Sequence, residues 1–209
     1  MSTRRGRGAP VVLVHGLFLG GWSMRRLARR LADRGFRPHC FDYDTVARGP
    51  LPNAQALLRC LRRRAAPKVH VVAHSMGGLL LRHALALDGD VPVDRCAMLG
   101  TPNRGSAVAR RLAAWPGFAP MFANGMRHGL GGDAPPWPRG VELGLVAGSR
   151  PLGAGIVFTR LAPPHDGTVT LEETALDGVV ARWVLPETHT GLLRSRAVAD
   201  VVAAFLGRE

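Results

Sequence analysis

The sequence predicts an α/β fold in which a mainly parallel sheet is covered by helices on both faces. Short apolar runs alternate with longer amphipathic runs along the 209 residues, which is typical of repeated strand–helix units. The first strand-like run, Val11–Val14, is apolar throughout, as expected for a strand buried on both faces. The length suits one domain around a single core, so we expect residues 1–209 to form one domain.

In the first half of the chain, each apolar run is followed by a helical pattern. Ser23 is the expected cap of the first helix. The predicted elements are strands at Val11–Val14, Phe36–Phe41 and Val69–Ala73 and helices beginning at Met24, Asn53 and Met76, the last reaching about Leu87.

The second half continues this alternation with one interruption. From Trp115 to Pro138 the composition changes to Gly, Pro, Met and aromatic residues, which predicts an irregular, short cap or lid-like excursion. Around it we expect a strand ending at Ala97–Leu99, a helix near Ala107–Ala114, strands at Leu143–Val146 and Val179–Leu185, and a last helix with Val198, Val201, Val202 and Phe205 on one face.

The N-terminus and the cysteines bear on location. Arg4, Arg5 and Arg7 precede the apolar run, as in an export signal. That run is short, however, and cleavage after it would remove a motif described below. The three cysteines, Cys40, Cys60 and Cys96, are widely spaced, which favours reduced thiols over disulfides or a metal site. We therefore expect a cytoplasmic protein without a transmembrane helix.

The formal net charge is +13, and almost all of the positive charge is arginine. Such a charge fits nucleic acid or anionic lipid as a partner. The bias extends over the whole chain, so we expect solvated helix faces and no nucleic-acid partner. Transient contact with an anionic membrane surface stays open, and the oligomeric state is not predicted. The arginines concentrate on two helix faces, at Arg25, Arg26, Arg29, Arg30 and Arg34 and at Arg59, Arg62, Arg63 and Arg64.

The strongest motif is Ala73-His74-Ser75-Met76-Gly77, between a predicted strand and a predicted helix. A sharp strand-to-helix turn exposes a serine hydroxyl for nucleophilic attack, and its crowded backbone requires small residues two positions before and after the serine. Ala73 and Gly77 meet that requirement. Ser75 is therefore the predicted nucleophile, although an ordinary turn serine is the alternative.

A second motif, His15-Gly16-Leu17, follows the first strand. Acyl transfer needs two preorganised N–H donors for the oxyanion. The backbone N–H groups of Leu17 and Met76 are the predicted pair, and His15 is expected to brace the loop. A plain glycine turn is the alternative.

His189 lies four residues beyond the last predicted strand, which places it at the same edge of the sheet as Ser75. It is the predicted general base. His74 adjoins the nucleophile but does not readily fold back onto it. The remaining candidates lack a fitting position, namely His39, His70, His83 and His128.

A carboxylate is needed to orient the histidine. Asp166 lies between the nucleophile and the histidine in chain order and is the predicted residue. It could instead cap a helix beginning near Val169. Glu172, Asp177 and Glu187 are the alternatives.

These motifs resemble the α/β-hydrolase superfamily, and within it compact bacterial lipases and esterases. The likeness covers most of the chain, with Gly-Thr-Pro-Asn-Arg-Gly-Ser at 100–106, Asp-Gly-Thr-Val at 166–169 and His-Thr-Gly-Leu-Leu at 189–193 in the family's order. The resemblance implies a sheet of about six strands. It also implies a catalytic triad of Ser75, Asp166 and His189, with Leu17 and Met76 as oxyanion donors.

The resemblance predicts a serine hydrolase acting on carboxylic esters or lipid-like substrates through an acyl-enzyme, without a metal or organic cofactor. A thioesterase, amidase or acyltransferase uses the same triad, and a non-catalytic binding protein is a further alternative. Several apolar residues are candidates for an acyl pocket, and core covering is the competing interpretation. They are Phe18, Phe118, Met121 and Phe122, together with Met126 and Trp137.

Overall fold

Six parallel strands form one sheet in the order β2-β1-β3-β4-β5-β6. The computed structural model describes residues 8–65, 67–88, 90–153 and 155–208. Arg4, Arg5 and Arg7, which bear on the export expectation, lie outside these residues. The strands are β1 at Pro10–Val14, β2 at Arg37–Phe41, β3 at Val69–His74, β4 at Val93–Leu99, β5 at Glu142–Gly148 and β6 at Val179–Leu185.

Seven α-helices are present in the described residues, together with a 3-10 turn at Gly21–Met24, a π-helical turn at Met126–Leu130 and a 3-10 turn at Gly191–Leu193. The helices are α1 at Arg25–Ala32, α2 at Pro50–Arg64, α3 at Met76–Leu87, α4 at Ala107–Ala113, α5 at Ala119–Gly125, α6 at Gly155–Phe158 and α7 at Arg196–Leu206. The predicted α/β fold class, a parallel sheet of six strands with helices, is confirmed.

Both faces of the sheet are covered. Val12 and Val14 of β1 pack in one core with α2 and α3, whereas Val11 and Leu13 pack in another with α1 and α7. Each of these four side chains is at most 1% exposed. Burying a Val or Leu side chain contributes about 1.5–3 kcal/mol, which explains why continuous apolar runs identify the strands.

Two helix starts differ from the prediction. Ser23 lies inside the 3-10 turn and donates its hydroxyl to the Gly20 carbonyl at 2.7 Å, so it does not cap α1. Helix α2 begins at Pro50, because proline suits the first helical turn. Asn53 is buried within that helix and donates to the Asp44 carbonyl at 2.8 Å.

The segment 115–138 is helical at 119–130 and irregular at its two ends, so the expectation of an irregular excursion is wrong for its middle half. Helix α5 and the π-helical turn fall within it, and Phe122 and Leu130 pack against Met76 and Leu79 of α3. Residues of α4 and α6 pack in the same cluster, so these helices form one layer over α3.

The arginine-rich faces of α1 and α2 lie mostly at the surface. Arg34 pairs with Asp200 and Arg62 pairs with Asp88. All three cysteines are free thiols. Among the described helices, none is both long and apolar enough to cross a bilayer.

Candidate active site

Ser75 occupies a strained turn between β3 and α3. Its φ and ψ are 54° and −129°, a conformation that L-residues rarely adopt. The turn is fixed by a hydrogen bond from the Ser75 N–H to the Leu99 carbonyl, at 2.9 Å. A Cβ at Gly77 would lie 2.5 Å from the His15 carbonyl oxygen and 2.6 Å from that of Val14, so only glycine fits there.

A second residue with a strained backbone, Phe18, lies in the loop after β1. Phe18 and Ser75 are the two non-glycine residues with positive φ in the described part of the chain. The Phe18 N–H donates to the Thr45 hydroxyl at 3.2 Å, which anchors the loop after β1. Such strain costs about 1–3 kcal/mol per residue and concentrates at functional sites. Both strained residues line the same cavity.

His189 and Asp166 form a buried pair after β6 and β5. The His189 Nδ1 lies 2.7 Å from Asp166 Oδ2, and the His189 backbone N–H donates to the Asp166 carbonyl at 2.9 Å. Because the carboxylate accepts, Nδ1 carries the proton and Nε2 is left as an acceptor. Asp166 and His189 are 1% and 8% exposed.

The Asp166 carboxylate also holds its own loop. Its Oδ1 accepts from the N–H groups of Thr168 and Val169, at 2.9 and 2.7 Å. Burial by itself would raise the pKa of this carboxyl. His189 and these N–H donors outweigh burial, and the pKa is lowered from 3.8. The alternative that Asp166 caps a helix beginning near Val169 is wrong, because residues 165–178 contain no helix. Asp166 instead closes a tight turn through the N–H groups of Thr168 and Val169.

The three alternative carboxylates, Glu172, Asp177 and Glu187, form no hydrogen bond to His189 in the described residues. Glu172 and Asp177 are exposed, and Glu187 is half-buried. In the described residues, Asp166 is the one carboxylate hydrogen-bonded to His189. The neighbouring buried Glu173 accepts from the N–H groups of Thr170 and Ala107, which ties two loops together.

A cavity of about 310 Å³ opens beside Ser75 and His189. Its wall is almost entirely apolar. The predicted Phe18, Phe118, Met121 and Phe122 all line it, whereas Met126 and Trp137 do not; Trp137 belongs to a separate cavity with Arg82. The prediction missed most of the wall, which comes from α4, the π-helical turn and α6 and includes Val108, Ala109, Leu112, Leu130 and Phe158.

The two predicted N–H donors lie on either side of the Ser75 turn in different elements, and one of them, Leu17, lines the cavity. Leu17 lines it next to Ser75, and its N–H has no acceptor in the described ranges. Met76 is the first residue of α3, where backbone N–H groups precede the first intrahelical hydrogen bond. Glycine is required at position 16, before Leu17, because a Cβ there would lie 2.8 Å from Ser75 Cβ.

His15 fixes the loop that carries Leu17. Its Nε2 lies 3.0 Å from Asp42 Oδ1, and its ring stacks on Tyr43 at 4.4 Å between centroids. The Tyr43 hydroxyl donates to the His15 carbonyl at 3.0 Å. These contacts account for the bracing role expected from the motif.

His74 contacts His189 directly, which the sequence did not indicate. The His74 Nε2 lies 3.0 Å from the His189 carbonyl oxygen, and the two rings are 4.7 Å apart. Burial lowers the pKa of His74 from 6.5 to about 3, so its ring is neutral. The period-two alternation of β3 could have placed His74 on a defined sheet face, but not beside a residue 115 positions away.

No group of three or more His, Cys, Asp or Glu side chains is arranged to share a metal ion within the described residues. The polar side chains that line the cavity are Ser75, Ser106, Thr168 and His189, and the Leu17 backbone N–H beside them has no acceptor in the described ranges. That set is suited to nucleophilic attack on a carbonyl group and to stabilisation of the oxyanion that results.

The parallel sheet, the strained turn after β3 and the histidine after the last strand define an α/β-hydrolase fold. The chain resembles the lipase BlEst2 of Bacillus licheniformis in its mature form, with a TM-score of 0.79, 21% identity and coverage of 95% of this chain and 92% of that one. The metagenomic carboxyl esterase MGS0156 aligns with a TM-score of 0.74 at 14% identity, covering 95% and 75%.

A third similar structure is the esterase RhEst1 from Rhodococcus sp. ECU1013, with a TM-score of 0.63, 14% identity and coverage of 95% and 90%. The chain belongs to the family described as Domain of unknown function (DUF7379), which matches residues 2–125. No curated protein sequence matches it.

Proposed function

We propose that the protein is a serine hydrolase that cleaves carboxylic esters, with Ser75 as nucleophile, His189 as base and Asp166 as its orienting carboxylate. One observation carries the proposal: Ser75 and His189 line one apolar cavity, and His189 is held by Asp166 at 2.7 Å with Nε2 free to accept a proton. The lipase and esterases of similar fold support the same reaction class.

In the proposed reaction, Ser75 Oγ attacks the ester carbonyl carbon while His189 Nε2 takes the hydroxyl proton. The N–H groups of Leu17 and Met76 stabilise the oxyanion. The C–O bond to the alcohol then breaks as His189 returns the proton to the leaving oxygen. Water attacks the acyl-enzyme by the same route, and the carboxylic acid and Ser75 are released. None of these steps uses a cofactor.

The cavity favours an ester with an apolar acyl group over a charged substrate, because its wall offers few polar partners beyond the reacting groups. A thioester, an amide and an acyl acceptor other than water stay as alternatives, because the same residues perform those transfers. A nucleic-acid partner is not part of the proposal.

The test is hydrolysis of a chromogenic ester series, from short to long acyl chains, by wild type and Ser75→Ala. We expect kcat to fall by about a millionfold in the variant, in line with other serine triads. Ser195→Ala is the matched control, because Ser195 caps α7 away from the cavity and accepts from the Val198 N–H at 3.3 Å.

A Ser75→Ala variant that retains near wild-type activity would refute the assignment of the nucleophile. Wild type that cleaves thioesters or amides but no oxygen ester would retain the site and change the substrate class. Failure of a fluorophosphonate to label Ser75 in folded protein would instead favour a non-catalytic binding protein.

A further inference from the structure

Several exposed apolar side chains lie on the segments that line the cavity. Phe18 and Met121 line it and are 46% and 43% exposed. Ile156 and Val157, 46% and 77% exposed, lie on α6 between cavity-lining residues. Together with Trp115 they form what we name the rim, defined as Phe18, Trp115, Met121, Ile156 and Val157.

Trp115 belongs to the rim through its aromatic neighbours. It is 42% exposed, and its ring lies 6.0 Å from Phe118 and 6.2 Å from Phe158, both of which line the cavity. The rim is therefore a set of large exposed apolar side chains on the segments around the cavity. Such patches on protein surfaces mark interaction sites.

Arginines accompany the rim. The Arg111 guanidinium lies 6.0 Å over the Trp115 ring. Arg111 and Arg160 are exposed, and neither forms a salt bridge within the described ranges. Arg111 therefore places an exposed cation against the rim, and Arg160 follows the cavity-lining Phe158 by two residues.

We infer that the rim docks on an anionic lipid bilayer, with its apolar side chains in the headgroup region and its arginines on the phosphates. A second copy of the chain fits less well, because a two-fold contact through the rim would place like charges together. Anionic headgroups neutralise those charges instead, and tryptophan and arginine are suited to the membrane interface. This docking goes beyond the proposed hydrolysis and needs no turnover.

The test measures co-sedimentation with phosphatidylcholine vesicles, with and without phosphatidylglycerol. We expect wild type to bind the anionic vesicles. Val157→Ser should weaken binding roughly tenfold and Arg160→Gln roughly fivefold. Val180→Ser and Arg182→Gln, on exposed positions of β6 away from the cavity mouth, are matched controls and should bind like wild type.

Wild type that stays in the supernatant with anionic vesicles would overturn the inference. So would rim variants that bind as well as their β6 controls, or a dimer in solution that Val157→Ser dissociates. Hydrolysis of a water-soluble ester by Val157→Ser should be unchanged. Failure of docking is therefore distinguishable from failure of the proposed function.

A separate observation concerns His74. A carbonyl oxygen can only accept, so the contact at 3.0 Å requires the His74 Nε2 to donate to the His189 carbonyl. The His74 Nδ1 is then a buried acceptor, without a partner in the described part of the chain. His189 is thus held on one side by Asp166 and on the other by the ring and N–H of His74.

The geometry points to His74 as a positioning residue that holds the backbone and ring of His189 in place while His189 alone takes the proton. This role rests on the proposed function. The titratable groups that face His74 are His189, Asp166 and His15. A neutral neighbour 4.7 Å away permits an imidazolium at His189, whereas a second cation at that distance would oppose it.

The test compares His74→Phe, which keeps a ring but removes the donor, with His74→Gln, which restores an N–H. His70→Phe is the matched control, because His70 is also buried, on the same strand and face, and hydrogen-bonded to neither residue of the pair. We expect His74→Phe to lower kcat roughly ten- to hundredfold with little change in KM. The acid midpoint of its kcat/KM profile should move, and His74→Gln should recover part of the rate.

The downfield proton resonance of the His189–Asp166 hydrogen bond gives a readout that needs no turnover. It should shift or broaden in His74→Phe and stay unchanged in His70→Phe. A wild-type pH profile and an unshifted resonance in His74→Phe would overturn the role. Wild type that hydrolyses no ester would count against the proposed function, while the resonance would still decide the role of His74.

Discussion

Gly100 lies directly behind the pair formed by Asp166 and His189. Its φ is +55°, and a Cβ there would lie 3.1 Å from Asp166 Oδ2 and 3.1 Å from His189 Nδ1. Gly100→Ala therefore pushes on both partners of the hydrogen bond without removing either of them. We predict a variant that folds but turns over slowly.

Two separate costs set the magnitude. An alanine in the left-handed region costs about 1–2 kcal/mol, which for a chain of this size lowers the Tm by roughly 2–8 °C. The second cost is the displacement, because contacts at 3.1 Å force the neighbours to move by tenths of an ångström. A misplacement approaching 1 Å costs about a hundredfold in rate, so we expect kcat to fall roughly ten- to hundredfold.

Gly140→Ala separates these two costs. Gly140 also has a positive φ, of +87°, but nothing lies within 4 Å of the added methyl group. Calorimetry and steady-state kinetics on a chromogenic ester should show both variants losing stability, with only Gly100→Ala losing kcat. Equal kcat values for the two variants, whether both high or both low, would refute the reasoning.

Three further predictions follow from the same geometry. Ser75→Gly should have a Tm several degrees above that of Ser75→Ala, because glycine relieves strain of about 1–3 kcal/mol at φ 54°; equal Tm values would contradict this. Ala109→Phe fills the cavity and should shift the ester preference toward shorter chains, whereas Ala113→Phe, one turn along α4 and outside the cavity, should not. The free energy of unfolding measured with urea should fall as the pH decreases from 6.5 toward about 3. In that range His74 takes up a proton in the unfolded chain, whereas the buried imidazole of the folded protein stays neutral. His74→Phe should reduce that slope by about 1.4 kcal/mol per pH unit, and an unchanged slope would argue against a buried neutral ring.

The strands could be predicted because their signal is local. Val11–Val14 is apolar at every position and Val69–Ala73 at every position except His70, a pattern that few environments other than a sheet buried on both faces accommodate. The turn around Ser75 was predictable for a similar reason, since the backbone of a tight turn restricts residue size at Gly77 whatever the rest of the fold does.

The helical structure at 119–130 could not be predicted from composition. Glycine and proline between 115 and 138 predict irregular structure, yet Phe122 and Leu130 gain enough from packing on Met76 and Leu79 to favour helical turns. Tertiary contacts of this kind override intrinsic propensity, and the sequence does not show which side chains will meet. The same limit hid the contribution of Val108 and Leu112 to the cavity wall.

The sequence by itself determined the class of fold, the turn that exposes Ser75 and the kinds of side chain that follow the strands. These features depend on residues close together in the chain, where periodicity and backbone sterics act. Only the tertiary structure decided that Asp166, among several carboxylates, lies against His189, and that His74 and Gly100 support the pair from behind. Those contacts join segments far apart in sequence, and they are fixed by how helices and loops pack over the carboxyl end of the sheet.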